Sequence, residues 1–242
     1  QGTEEKSPGP VGHWSFDEGY GTTANDASGQ GNDGTINGAT WKDESECVSG
    51  KCLWFDGSDT DNNNTVTVPV GSTNPELSIL EDVSLSAWIR PSSSYVDTNQ
   101  AVLRNGQGKD LEYSIFYDPT NERPYFHWYN GSSFEAVYGS SGTVPINKWS
   151  KVTITREGTS LNFYVNGELI NTESVSIPPN SSTTLAIGRT DNVSVTQDYS
   201  GYIDEVKVYP YARTENQVKQ DYNAGLAGVS SSQGTSASIG QK

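Results

Sequence analysis

The stretch DEGYGTTANDASGQGND, from Asp17 to Asp33, sets Asp17, Glu18, Asn25, Asp26, Asn32 and Asp33 among glycines. A hard cation such as calcium takes about six to eight carboxylate, amide and carbonyl oxygens from a chain that can bend sharply. The same residue types also make a solvated loop of hydrogen-bonded turns, and spacing alone leaves both readings open. A second acidic loop, DGSDTDNNNT, imitates an EF-hand start at Asp59, Asp61 and Asn63. It has Asn64 where that loop needs glycine and Val70 where it needs a bidentate glutamate, so it reads as a hairpin tip.

Catalytic constellations are harder to find. A glycosidase needs two carboxylates aimed into one cleft, which on a strand means near-period-two spacing. Asp204 and Glu205 are adjacent, as are Glu81 and Asp82, so regular strand geometry predicts opposite faces for each pair. His13 and His127 stand far apart, with no His-Glu-x-x-His pattern, nucleophile elbow or phosphate loop. The sequence reads as non-catalytic.

The richest aromatic stretch is RPYFHWYNGSSFEAVYG. Alternation puts Phe126 and Trp128 on one face, expected to be core, and Tyr125, His127 and Tyr129 on the other, expected to be exposed. Such polar-tipped rings suit a sugar ring, a protein partner or plain cross-strand pairing.

The elements that must carry these groups are mostly strands. Short runs such as TVTVPV, VSLSAWIR, EYSIFY, PYFHWY, WSKVTITR and YIDEVKVY alternate apolar and polar residues between turn clusters. Each buries one face, which predicts two packed antiparallel sheets. Asn166-Gly167 in LNFYVNGELI fits a two-residue hairpin turn. One late helix is signalled in RTENQVKQDYNAG, with Thr214 and Gln217 as a capping box and Gly225 as its stop.

Composition sets outer limits. Thirty acidic against fifteen basic residues give a charge of −15, which repels nucleic acid and welcomes cations. The chain has no apolar run long enough to span a bilayer. It begins with Gln rather than Met, and the expectation is a secreted or surface protein whose signal peptide has been removed. Cys47 and Cys52 are read as a disulfide closing a tight loop, consistent with an extracellular compartment. Asn63, Asn130, Asn180 and Asn192 are glycosylation sequons in turn-like contexts.

In order along the chain, GHWSFDEGYGTTANDASGQGNDG, SGKCLWFDG, VSLSAWIRP, NKWSKVTITREGTSLNFYVNGELI, TLAIGR and GYIDEVKVYPYARTENQVKQDYNAG resemble laminin-G-like domains of the concanavalin A-like lectin/glucanase superfamily. The resemblance implies an all-β, two-sheet antiparallel jelly-roll sandwich of about a dozen strands, with a short C-terminal helix. It also implies extracellular location and one structural calcium ion. Its ligands would be Asp26, Asn32 and Asp204, with Asp17 and backbone carbonyls, gathered by pairing of the first and last strands.

The expected organisation is an extended leader at 1–10, a jelly-roll domain at 11–226 and a Ser/Gly-rich tail at 227–242. Two functions follow. The first is a structural or adhesive subunit that binds copies of itself head to tail, donating a terminal segment as an added strand and building filaments. The second is a calcium-dependent module for extracellular glycans, using Tyr125, His127 and Tyr129.

Overall fold

A computed structural model describes residues 8–57, 64–94, 99–106, 110–176, 184–189 and 197–232. In chain order the first strands are β1 (Gly12–Trp14), β2 (Thr23–Ala24), β3 (Gly34–Asn37), β4 (Thr40–Lys42), β5 (Cys52–Asp56), β6 (Thr65–Pro69), β7 (Val83–Pro91) and β8 (Gln100–Asn105). They are followed by β9 (Tyr113–Asp118), β10 (Arg123–Tyr129), β11 (Phe134–Tyr138), β12 (Ser150–Glu157), β13 (Ser160–Val165), β14 (Glu168–Ser174), β15 (Thr184–Ile187) and β16 (Ser200–Tyr209). One α-helix, α1 (Glu215–Ser232), closes the described chain.

The strands form two antiparallel sheets. Sheet I runs β14-β13-β12-β7-β16-β5-β4 with β1 also on β16, and sheet II runs β11-β10-β9-β8-β15-β6-β3-β2. This is the expected sandwich, cut into more and shorter strands than a dozen. Alternation explains the core. Leu85, Ala87 and Ile89 of β7 and Val152 and Ile154 of β12 meet Ile115, Phe126 and Trp128 of sheet II in one buried cluster. The inward Tyr113 and Tyr117 keep their hydroxyls satisfied by donating to the carbonyls of Leu77 and Val144.

Local signals mostly hold. Asn166 and Gly167 both have positive φ, at 52° and 81°, as the hairpin between β13 and β14 requires. Thr214 and Gln217 form the reciprocal capping box, with the Thr214 N–H donating to Gln217 Oε1 at 2.9 Å. The first and last strands pair as expected, with His13 opposite Lys207.

Gly225 does not stop the helix, which continues to Ser232. A Cβ at Gly225 would sit 2.9 Å from Trp88 Nε1, so this glycine lets the helix lie close against sheet I. Residues 227–232, expected in an extended tail, are therefore helical. Asn63, Asn180, Asn192, the acidic loop at 58–63, residues 1–7 of the leader and residues 233–242 of the tail lie outside the described residues.

Candidate functional site

The outer face of sheet II, opposite the core, carries the aromatic stretch. Strands β10 and β11 form a hairpin whose register sets Tyr125 against Tyr138, His127 against Ala136 and Tyr129 against Phe134. Its tip is a turn in which Asn130 Oδ1 accepts from the N–H groups of Ser132 and Ser133, with Gly131 at φ 95°. Phe126 and Trp128 face the core and Tyr125, His127 and Tyr129 face away from it, as alternation predicts.

Exposure is where the expectation fails. Tyr125 is 2% exposed and Tyr129 9%, because rings from neighbouring strands lie over them. Tyr125 stacks between Phe116 of β9 and Tyr138 of β11, each at 5.1 Å between centroids. Phe134 closes over His127 at 5.3 Å and over Tyr129 at 5.2 Å. The rings that reach solvent belong to the edge strand: Phe134 at 49% and Tyr138 at 36% exposed. The Arg123 guanidinium lies 4.1 Å from the Tyr138 ring and pairs with Asp118 at 3.0 Å, ending the strip in fixed polar groups. Burial, with the Arg104 charge nearby, pushes His127 down to about 4, so its imidazole is neutral at physiological pH.

The four expected cation ligands do not form one group: among the described residues no three His, Cys, Asp or Glu side chains gather into a metal-holding cluster. Asp26 organises its own turn. Its carboxylate accepts from the N–H groups of His13, Ser28 and Asn32 and from the Ser28 hydroxyl. Burial would raise this carboxyl, but those hydrogen bonds hold it below the usual range. Asn32 is buried and donates to the Val11 carbonyl at 2.6 Å.

Asp204 and Asp17 meet instead at the Cys47–Cys52 disulfide loop, which is formed as predicted. Asp204 Oδ2 accepts from the N–H groups of Val48 and Ser49, and Asp17 Oδ1 from that of Lys51. Asp204 is fully buried and its Oδ1 has no partner among the described residues. Burial, with Glu205 and Asp17 nearby, pushes its carboxyl well up. Burial and the Glu205 charge also raise Asp17.

The Asp204-Glu205 pair corrects another expectation. Register shifts between Asp204 and Lys207, and Glu205 has φ 50°. The bulge leaves Ile203 and Val206 in the core while Glu205 and Lys207 line one cavity outside it, so the two carboxylates are not on opposite faces. Glu205 is held at about 2: burial would raise it, but the His13 hydrogen bond and Lys207 at 2.8 Å prevail. A carboxyl raised beside one lowered is an acid–base pattern. Here the raised one is sealed under the disulfide loop.

A third region was not read as a site in the sequence. On the outer face of sheet I the Arg90 guanidinium lies 3.8 Å from the Tyr202 ring and 5.6 Å from that of Trp149. Trp54 packs edge-on to Tyr202 at 4.7 Å. Helix α1 crosses beside them, with Tyr222 tilted on Trp88 at 5.6 Å. Arg90 of β7, Trp54 of β5, Tyr202 of β16 and Trp149, just before β12, come from separate segments, and no local pattern announces their convergence.

With the fold and these faces described, comparison with known proteins adds the family. A family model described as the concanavalin A-like lectin/glucanases superfamily, of laminin-G type, matches residues 59–219. The chain belongs to this superfamily. Among solved structures, the superfamily fold is shared with the receptor-binding domain of botulinum neurotoxin type G at TM-score 0.67 and 16% identity, over 89% of this chain and 51% of that one. A structure of botulinum neurotoxin type C, a toxin that enters cells in dependence on interaction with two ganglioside molecules, matches at TM-score 0.67 and 16% identity, over 90% and 51%. A Trypanosoma rangeli sialidase in complex with a difluoro-KDN ligand matches at TM-score 0.66 and 16% identity, over 94% and 33%. The chain thus spans about half or less of these relatives. No curated protein matches it. Among the described residues no helix is long and apolar enough to cross a membrane.

Proposed function

We propose that this chain is a non-catalytic, lectin-like module of an extracellular or surface protein, contacting glycans through the outer strip of the β10–β11 hairpin. The observation that supports this most is the pair of exposed rings, Phe134 and Tyr138, backed by the buried Tyr125 and Tyr129. A sugar ring offers apolar C–H faces to such rings, and preformed rings lose little conformational entropy on binding. Arg123 and Asn130 flank the strip as hydrogen-bonding groups. The superfamily includes lectins, and the ganglioside-dependent neurotoxin uses the same fold. Head-to-tail assembly has less behind it, because the start of the proposed donor segment is helical.

A glycan array probed with the native chain and with a Phe134→Ala, Tyr138→Ala double variant tests the reading. Binding to a glycan set that drops at least tenfold in the variant supports it. No binding by the native chain, or equal binding by both, overturns it.

Calcium belongs to the same proposal in narrower form. Asp17 and Asp204 would hold the ion, with backbone carbonyls completing its shell; Asp26 is spent on its turn, and Asn32, whose buried Oδ1 has no partner among the described residues, hydrogen-bonds to Asp26 and Val11. The fit rests on the unpartnered Asp204 Oδ1 beside a second raised carboxyl. Calcium added to chelator-treated protein then raises the melting temperature, and Asp204→Asn removes that response. An identical melt with and without calcium removes the ion from the account.

A further inference from the structure

Lys151 of β12 points away from the core onto the outer face of sheet I, where α1 covers it. It is 2% exposed. Its backbone N–H donates to Asn166 Oδ1, but its ammonium has no hydrogen-bond or ion-pair partner among the described residues. Burying an ammonium without a counterion is costly. The side chain lines a cavity of about 250 Å3 together with Trp88, Ser49, Glu205, Lys207 and Asp221.

The neighbouring charges are already paired. Glu205 is engaged by Lys207 at 2.8 Å and His13 at 2.9 Å, and Asp221 by Arg213 at 3.0 Å. In the cavity wall Lys151 and Lys207 face Glu205 and Asp221; with Glu205 taken by Lys207 and Asp221 by Arg213 behind it, Lys151 is the charge left without a close partner. An adjoining groove of about 330 Å3, lined by Arg90, Trp149 and Glu46, shares Val48 and Trp88 with it.

We infer that this cavity under α1 binds an acidic monosaccharide, its carboxylate against the Lys151 ammonium and its ring beside Trp88. The cavity is below the roughly 300 Å3 of a drug-sized pocket, so it suits one ring. The wall also decides between anions. Glu205, Asp221 and the Ser49 hydroxyl accept hydrogen bonds, so a ligand with one negative charge and several hydroxyl donors is matched. A phosphate dianion, with no donors to offer, meets two carboxylates instead. Burial, with Lys207 and Arg213 nearby, lowers Lys151 to about 8, and a bound carboxylate would raise it again. The inference is independent of the β10–β11 strip, which lies on the other sheet.

Calorimetric titration with glucuronate, glucose and inorganic phosphate is the test. The expected result is saturable glucuronate binding that falls at least tenfold in Lys151→Met, with no binding of glucose at this site. The methionine keeps most of the apolar stem, and a retained melting temperature shows that the fold is intact. If that variant does not fold, Lys151→Gln takes its place. The Phe134→Ala, Tyr138→Ala variant should bind glucuronate as the native chain does, which separates this site from the strip. Absence of glucuronate binding, or binding unchanged by loss of Lys151, overturns the inference. Phosphate binding as tight as glucuronate overturns the assignment to a sugar acid.

Discussion

The outer faces of the two sheets are built to opposite ends. On sheet I the disulfide loop and α1 lie across the strands, and the charged groups beneath are locked: Asp204 to loop amides, Glu205 to His13 and Lys207, Arg90 onto Tyr202. On sheet II the β10–β11 hairpin leaves its rings without such a cover, and two of them reach solvent. The first face spends its chemistry on holding the fold and enclosing a cavity; the second offers flat apolar surface. One strand pattern, alternate residues facing out, serves both, and what lies on top makes the difference.

The sharpest way to break the contrast is to remove the cover. Cys47→Ser with Cys52→Ser frees the loop whose amides bind Asp204 and Asp17. Loss of a native disulfide costs about 2–5 kcal/mol. A large drop in midpoint by chemical denaturation, with the sheet II strip still binding its glycan, is expected; an unchanged midpoint would mean that the loop does not hold this face.

Acid separates the faces by pH. His127 on sheet II has its folded value depressed to about 4, so stability present above its unfolded value is lost as pH falls through 4. Glu205 on sheet I is depressed to about 2, so its contribution is present above its unfolded value and lost in a lower window, as pH falls towards 2. Each step is worth about 3 kcal/mol at roughly 1.4 kcal/mol per pKa unit. In pH-dependent urea melts, His127→Phe should erase the upper step alone. Should the upper step persist in that variant, it has another source.

A smaller effect is expected at the helix. Gly225→Ala drives a methyl against Trp88 while improving helix propensity by about 1 kcal/mol. A net loss of about 1 kcal/mol is predicted, with changed Trp88 fluorescence; a net gain would show that α1 is free to shift. Smallest of all, Phe134→Ala should cost less than about 0.5 kcal/mol, as an exposed edge residue.

Much of the scaffold was legible because it follows local rules. The Asn166-Gly167 turn, the Thr214–Gln217 box and the division of β10 into core and outer residues each rest on a few neighbouring residues. The sites were less so, since alternation gives the face of a side chain but not what covers it. Tyr125 and Tyr129 read as exposed until β11 brings Phe134 and Tyr138 over them. Nothing beside Lys151 in the chain marks it as buried; a helix some sixty residues later crosses it. Asp204 and Glu205 escape the rule through a bulge, which adjacent residue types do not reveal.

The central claim, that the open face of sheet II is the one that meets a glycan, is tested most directly by mapping amide NMR shifts during titration with the best array ligand. The account predicts the largest shifts along 123–138, with those around Val48, Lys151 and Gly225 unmoved by a neutral glycan. Shifts centred on the disulfide loop and α1, with 123–138 silent, would contradict it.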